Sequence, residues 1–216
     1  MNSRSKKRIA LLGATVAVVV LAMSGIAPGA MARSCAKPGY KLVERTHQTA
    51  IVSRTVRDSK WEGGTAQKLY ACSYTYGTRH YLTTAGVDEN AETSLGLTVG
   101  NERYFGYALT RIDNAGKSSA HHLGLYDLKT GYMLLGVTPS RKGHSADVTA
   151  LALANNGRFG WIERFEDGRQ EVWLRASSAN VINLATAANI DPWFLRFDSQ
   201  RHLIWSTSTG NSSAGK

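Results

Sequence analysis

A short pattern that recurs three times along the chain is the feature that most constrains its fold. Each copy has two apolar residues one position apart, a turn, and an aromatic residue eight positions after the second apolar one: Leu97/Val99/Tyr107, Leu151/Leu153/Trp161 and Leu195/Phe197/Trp205. The turns are rich in Gly, Asn, Asp and Ser, which suit the tight connections of β-hairpins. The pattern therefore predicts a hairpin of two antiparallel strands at the start of each copy.

Two further strand-like segments follow each predicted hairpin. They read HHLGLYDL and YMLLGV in the first copy, and QEVWLRA and VINLA in the second. Near the start of the chain, QKLYACSY and HYLTTA take the same two places after AIVSRTV, with Val43 and Ile51 as the remains of a hairpin. The last copy ends after two strands, and we expect residues 210–216 to form a flexible tail.

A unit of four meandering strands with an aromatic on the second strand is the layout of a β-propeller blade. We therefore expect an all-β, β-propeller-like fold of consecutive four-stranded antiparallel meanders, with about three to four blades. The aromatic residues at 107, 161 and 205 should fill the space between neighbouring blades, since each blade buries a face only by stacking on the next.

The quoted repeats also resemble those of a known fold family. LGLYDLKTGYML and ALANNGRFGWIE resemble the repeats of YVTN- and quinoprotein-type β-propellers. With SCAKPGYKLV and QKLYACSY, most of residues 35–207 is similar to small secreted proteins of unknown function from high-GC Gram-positive bacteria. The resemblance implies an extracytoplasmic fold without catalytic residues. A propeller usually has four to eight blades, so a four-bladed ring, an open stack of blades and a homodimer of half-rings all stay open.

The N-terminal segment has the three parts of a secretory signal peptide. Four basic residues come first, an apolar run spans residues 9–23, and Ala30-Met31-Ala32 follows. This order predicts a signal helix that is cleaved after Ala32, a domain at residues 33–209 and a secreted or extracytoplasmic product. The alternative is an uncleaved single-pass membrane anchor, for which the apolar run is short.

The charge of the mature chain argues against nucleic-acid binding. The leader holds four of the 26 basic residues and none of the 16 acidic ones, so 22 basic residues remain against 16 and the net charge falls from +10 to +6. The mature part has neither a basic block nor a nucleic-acid motif. We expect no nucleic-acid partner and only loose attraction to anionic envelope polymers.

Cys35 and Cys72 are the two cysteines of the chain. An even pair in an oxidising compartment predicts a disulfide, which would tie the mature N-terminus to the first group of strands. The closed loop would add roughly 3–4 kcal/mol by restricting the unfolded chain. The alternative, a reactive thiol, needs a neighbouring base that the sequence does not identify.

Lys129-Thr130-Gly131 matches the triplet of penicillin-recognising enzymes, but its usual companions are missing. The Ser-x-x-Lys of the mature chain is Ser34 to Lys37, directly before Pro38, where no helix is predicted to aim the serine. We therefore interpret the triplet as a hairpin turn capped by Asp127, with Gly131 reversing the chain.

The sequence predicts no metal site, no cofactor and no catalytic residue. His121 and His122 are adjacent, so a regular strand would point them to opposite faces, and His144 has no partner at a metal-ligand spacing. Residues 88–92 carry oxygen ligands but lack the glycine and distal glutamate of a calcium loop.

These observations favour a non-enzymatic binding module that contacts a protein or an envelope polymer through blade loops. Trp61, in a Gly-rich loop outside the repeat, is the candidate ligand-binding aromatic. The alternative is an extracytoplasmic hydrolase or lyase acting on glycan through loop carboxylates such as Asp88, Glu92 or Asp147. That chemistry needs two carboxyl groups about 5–10 Å apart in a cleft.

Overall fold

The computed structural model describes Cys35 and residues 37–88, 91–113, 118–139, 146–176, 180–207 and 210–213. The predicted signal peptide and its cleavage site after Ala32 lie outside the described residues. Within those residues, no helix is both long enough and apolar enough to span a membrane. The fold is all-β, as predicted, and its strands are antiparallel to their neighbours.

Four successive meanders account for the strands of the described residues. Meander 1 contains β1 (Lys41–Arg45), β2 (Thr49–Arg57), β3 (Thr65–Ser73) and β4 (Arg79–Val87). Meander 2 contains β5 (Ala91–Gly100), β6 (Tyr104–Asp113), β7 (Ser118–Asp127) and β8 (Met133–Val137). Meander 3 contains β9 (Ala146–Leu153), β10 (Phe159–Phe165), β11 (Gln170–Arg175) and β12 (Val181–Ala187), and meander 4 contains β13 (Ile190–Phe197), β14 (Leu203–Thr207) and β15 (Gly210–Ser213).

Meanders 1 and 2 join into one eight-stranded sheet, while meanders 3 and 4 are separate sheets. The junction is narrow, because β4 and β5 pair only through Gly86–Thr93 and Val87–Glu92. In the described part of the chain, none of these sheets closes on itself. The predicted consecutive antiparallel meander is thus present, although only β9–β12 forms a separate four-stranded sheet. It includes a first hairpin, β1–β2, that the sequence indicated only faintly.

Residues 210–213, at the start of the predicted tail, form β15 and pair with β14. The Thr207 hydroxyl at the end of β14 donates a hydrogen bond to the Gly210 carbonyl at the start of β15, at 3.0 Å. Sequence patterns miss such a strand because an edge strand can be held by backbone hydrogen bonds without an apolar face.

Apolar clusters between successive meanders form the core. Tyr107 packs between meanders 1 and 2 with Ile51 and Leu69. Trp161 packs between meanders 2 and 3 with Leu123, and Trp205 packs between meanders 3 and 4 with Ile162. The three repeated aromatics are therefore buried between neighbouring meanders, as the sequence predicted.

A glycine on the second strand receives a side chain from the next meander. The ring of Phe159 occupies the space that a side chain at Gly106 would need. In the same way, a Cβ atom at Gly160 would lie 2.6 Å from the side chain of Leu203. The corresponding residue of meander 4 is Ile204, beyond which the described chain has no further meander. We call the positions at Gly106 and Gly160 the glycine sockets.

The outer face of meander 1 is covered by the N-terminal segment. Cys35 and Cys72 form the predicted disulfide, with 5.9 Å between their Cα atoms, and both are buried with Ala50 and Val52. Tyr40 packs against the same cluster. The disulfide therefore anchors a lid, the segment that carries Cys35 and Tyr40, over this face of the first sheet.

Candidate functional site

Every meander carries an irregularity in its first strand. One extra residue, Val43, interrupts the pairing of β1 with β2, and Thr149 does the same in β9. In β5, Gly96 and Leu97 lie opposite a single residue, and in β13 residues 192–195 lie opposite Trp205 alone. Such β-bulges leave residues out of the hydrogen-bonded ladder and often lie beside functional sites.

The first strands are neighbours of one another. The Thr98 hydroxyl on β5 donates a hydrogen bond to the Glu44 carboxylate on β1, at 3.3 Å. Further along, β5 contacts β9, and β9 contacts β13. The bulged segments therefore lie on a series of adjacent strands.

A cavity of about 300 Å³ lies where two of these bulged strands meet. It is lined by residues of β5, β6, β9 and β10: Gly96, Leu97, Ala108, Thr110, Asp147, Val148, Thr149 and Arg164. Gly96 has no side chain, and the Thr110 hydroxyl oxygen lies 2.7 Å from the position that a Cβ atom on residue 96 would take. Glycine at this position therefore leaves room for the hydroxyl. We call this space the β5–β9 cleft.

The polar groups of the cleft include one acid and one base on paired strands. Asp147 of β9 lies directly across from Arg164 of β10. Burial raises the pKa of the Asp147 carboxyl, although the nearby Arg164 guanidinium lowers it in part. An ionised Asp147 and Arg164 together leave the cleft without net charge.

The Thr149 hydroxyl is a further polar group of the cleft that is available for a hydrogen bond. Its oxygen is buried and has no hydrogen-bond partner among the described residues. A buried hydroxyl without a partner is costly, so such a group usually finds one in a water or a ligand. Together with Thr110, it gives the cleft groups that can both donate and accept hydrogen bonds.

Only one of the three candidate carboxylates lines the cleft. Asp147 does so, whereas Asp88 caps a turn by accepting a hydrogen bond from the Ala91 N–H at 2.8 Å. Glu92 is exposed on β5. The pair of carboxyl groups that glycan hydrolysis would need is not found among the described residues of the cleft.

Trp61 is half-buried beside the single-turn 3-10 helix Glu62–Gly64. It forms a β-bridge with Asp88, and its indole ring lies over Gly86, where a Cβ atom would come within 2.8 Å of the ring. Its role in ligand binding stays a prediction. The repeat pattern gave no signal for Trp193, which is 91% exposed on the bulge of β13.

The Lys129-Thr130-Gly131 triplet lies in the hairpin between β7 and β8. The carboxylate of Asp127 accepts a hydrogen bond from the Lys129 N–H at 2.9 Å, and the Gly131 N–H donates to the Asp127 carbonyl at 2.7 Å. Gly131 has a φ of 79°, a conformation that glycine adopts without strain. The predicted turn is confirmed.

The described residues contain no group of three or more His, Cys, Asp and Glu side chains that could hold a metal ion. His122 lies beside Tyr107, with 5.9 Å between the ring centroids. His144 and the calcium-loop candidates Glu89 and Asn90 lie outside the described residues, as does the side chain of His121.

Comparisons with protein-family models and with curated proteins find no match to this chain. The geometry of the cleft and of the strands around it is therefore what indicates a function.

Proposed function

We propose that the protein is an exported, non-catalytic binding module that holds a polar ligand in the β5–β9 cleft. The observation that carries this proposal is that bulges on two adjacent strands flank one cavity, and that a buried, unpartnered hydroxyl lines it. A volume of about 300 Å³ is at the lower end of ligand pockets and suits a group the size of one sugar or amino acid.

The proposal includes a β-propeller-like arrangement and an extracytoplasmic location. Consecutive meanders, stacked through their aromatic residues and with adjacent first strands, support the arrangement. The Cys35–Cys72 disulfide is compatible with an oxidising compartment outside the cytoplasm. Light scattering of the secreted protein separates the assemblies: a dimer supports paired half-rings, and a monomer supports a small ring or a capped stack.

The number of carboxyl groups in the cleft favours a binding function over glycan hydrolysis. A hydrolase of the usual two-carboxylate kind needs an acid and a second carboxyl group on opposite sides of the scissile bond. The described residues of the cleft supply Asp147 alone, and it lies across from a guanidinium. That pair is suited to holding a polar group in place.

The test uses the full chain, expressed with its own leader and purified from the medium. Isotope-labelled protein is mixed with pools of neutral sugars, amino acids and short peptides, and amide chemical shifts are recorded. We expect at least one pool to perturb the amides of residues 96–97, 147–149 and 164. If no pool perturbs these amides, or if every binding pool perturbs a different region, the proposal is wrong.

A pair of matched variants ties the binding to the cleft. Thr149→Val removes the unpartnered hydroxyl with little change of shape, and we expect it to weaken the selected ligand by roughly fivefold, the value of one hydrogen bond. Thr186→Val makes the same change on the exposed face of β12 and should leave affinity unchanged.

A further inference from the structure

We propose that Trp193 and Phe194 form an aromatic platform that extends the β5–β9 cleft, and that the ligand is a neutral carbohydrate chain. This inference rests on the proposed function, since the cleft is expected to hold one sugar unit while the platform holds a neighbouring one. It names the ligand class, which the cleft alone leaves open.

Exposure separates Trp193 from the other tryptophans. Its side chain is 91% exposed, and the neighbouring Phe194 is 47% exposed. Trp161, Trp173 and Trp205 are each less than a tenth exposed, and Trp61 is half-buried against Gly86. Two large aromatic side chains in adjacent, exposed positions are unusual for a chain that packs its other tryptophans, and such surface typically marks a binding site.

The backbone of the platform is held in place although its side chains project from the sheet. The buried side chains of Ile190 and Leu195 anchor it on both sides. Between them, the Asp191 carboxylate accepts a hydrogen bond from the Trp193 N–H at 2.9 Å, and the ring of Pro192 restricts the backbone. A backbone that is already ordered loses little entropy when a ligand binds, which raises affinity.

The platform and the cleft lie on adjacent strands and start from the same end of the sheets. The Ile190 N–H, where β13 begins, donates a hydrogen bond to the Gln170 side chain at 2.8 Å. Gln170 is paired with Arg164, and Arg164 is paired with Asp147. Since β9 contacts both β5 and β13, a chain that leaves the cleft across β9 comes next to the bulge of β13.

The aromatic platform and the β5–β9 cleft match the two kinds of surface that a sugar presents. A pyranose ring presents apolar C–H faces, which stack on an indole ring, and a rim of hydroxyl groups, which both donate and accept hydrogen bonds. The cleft offers a carboxylate, a guanidinium and two hydroxyls without net charge. Because Asp147 and Arg164 balance each other, the cleft has no excess positive charge that would select a polyanion, and its hydroxyl groups suit a neutral glycan.

The test follows the fluorescence of the full secreted chain with three neutral tetrasaccharides, chitotetraose, cellotetraose and maltotetraose. Trp193 should account for most of the emission that acrylamide quenches, because the other tryptophans are packed. We expect at least one tetrasaccharide to protect this emission and shift it to shorter wavelength. If all three leave both quenching and emission unchanged, the inference is wrong.

Titration calorimetry of variants then assigns the contact. We expect Trp193→Ala to weaken the tetrasaccharide by roughly three- to tenfold without lowering the melting temperature, because the side chain is exposed. Tyr132→Ala is the control, because Tyr132 is 72% exposed in the hairpin between β7 and β8, and it should bind as the wild type does. A loss with Trp61→Phe and none with Trp193→Ala would move the contact to Trp61 and overturn the inference.

The cleft variant distinguishes failure of this inference from failure of the proposed function. Weaker tetrasaccharide binding in both Thr149→Val and Trp193→Ala supports both. If Thr149→Val weakens tetrasaccharide binding but Trp193→Ala does not, the platform is wrong and the proposed function stands. If an amino acid or a peptide perturbs the cleft amides and no saccharide binds, the carbohydrate assignment is wrong and the proposed function again stands.

Discussion

Two buried charged residues of this protein differ sharply in their hydrogen bonding. Asp127 is 4% exposed, and its carboxylate accepts hydrogen bonds from Arg103 at 2.8 and 3.1 Å and from the Lys129 N–H. Arg158 is 8% exposed, yet its Nε and Nη2 atoms have no hydrogen-bond partner among the described residues. The first arrangement should stabilise the fold, and the second should cost stability.

The pH dependence of stability tests the environment of Asp127. Burial raises the pKa of its carboxyl, but the hydrogen bonds from Arg103 and the turn outweigh burial, and the net pKa is lowered. A folded pKa below the unfolded one gives stability that is present above the unfolded pKa, near 4, and lost as the pH falls through the folded pKa. We therefore expect Asp127→Asn to cost roughly 1–3 kcal/mol at pH 7 and much less at pH 2.

Urea unfolding at both pH values measures this loss. Asp167→Asn is the control, because Asp167 also caps a turn beside an arginine, Arg169, but its side chain is 66% exposed. It should cost less than Asp127→Asn at neutral pH. An equal loss from Asp127→Asn at pH 7 and pH 2 would contradict the assignment.

Two buried arginines allow a matched test of unpaired charge. Arg158→Met keeps the apolar length of the side chain and removes the unpartnered atoms, so we expect no loss of stability or a gain of up to about 2 kcal/mol. Arg175→Met should destabilise the protein, because Arg175 donates hydrogen bonds to the carbonyls of Leu134, Gly157 and Ala176. Equal losses in thermal unfolding of the two variants would show this expectation to be wrong.

The predictability of these residues from sequence depends on how local their interactions are. The Asp127 turn was predicted, because Asp127 and Gly131 act within one short hairpin. The environment of Arg158 and the exposure of Trp193 depend on Phe197 and on the pairing of β13 with β14, which local sequence does not specify. The candidate site was therefore missed except for Asp147.

Among the structural elements, the hairpins could be predicted from the sequence, whereas the β-bulges could not. Alternating apolar residues and turn formers are local signals, so β5–β6, β9–β10 and β13–β14 were predicted. A bulge changes the register by one or a few residues, which leaves the composition of a strand the same. The β5–β9 cleft depends on two such bulges, and this explains why the sequence did not indicate it.

A double-mutant cycle tests the glycine sockets. Gly160→Ala places a methyl group against Leu203, and we expect a loss of roughly 1–3 kcal/mol from overpacking. In the Leu203→Ala background the same change should cost clearly less, because the opposing side chain is gone. Chemical unfolding of the four proteins gives the coupling energy, and additive losses would mean that the two positions do not touch.

Within the described residues, the molecule is a series of sheets whose first and last members differ in how their outer faces are built. Contacts between successive meanders bury the aromatic residues, whereas the outer face of meander 1 is covered by the segment that carries Cys35. The number of meanders and the disulfide were predicted, since both follow from residue counts and spacing. The third strand of meander 4 was not, because β15 has no apolar pattern.

Removal of the disulfide tests the lid on meander 1. The two cysteines are 37 positions apart, and a bridge of that span stabilises a protein by about 3–4 kcal/mol through the unfolded chain. We expect the variant with both Cys35→Ser and Cys72→Ser to lose at least that much in urea unfolding, because two polar hydroxyls also replace buried sulfur atoms. Mass spectrometry under non-reducing conditions checks the bridge in the wild type, and unchanged stability of the variant would contradict its role.

The glycine sockets give the chain a direction, in which meander 3 inserts a side chain into meander 2 and meander 4 inserts one into meander 3. Meander 3 inserts Phe159 at Gly106 and receives Leu203 at Gly160, so it has both halves of the connection. A tandem copy of residues 146–189 would therefore find a matching neighbour on each side, whereas a copy of meander 4 would be stopped by Ile204. We therefore expect that duplication of the segment encoding meander 3 would lengthen the series by one whole sheet.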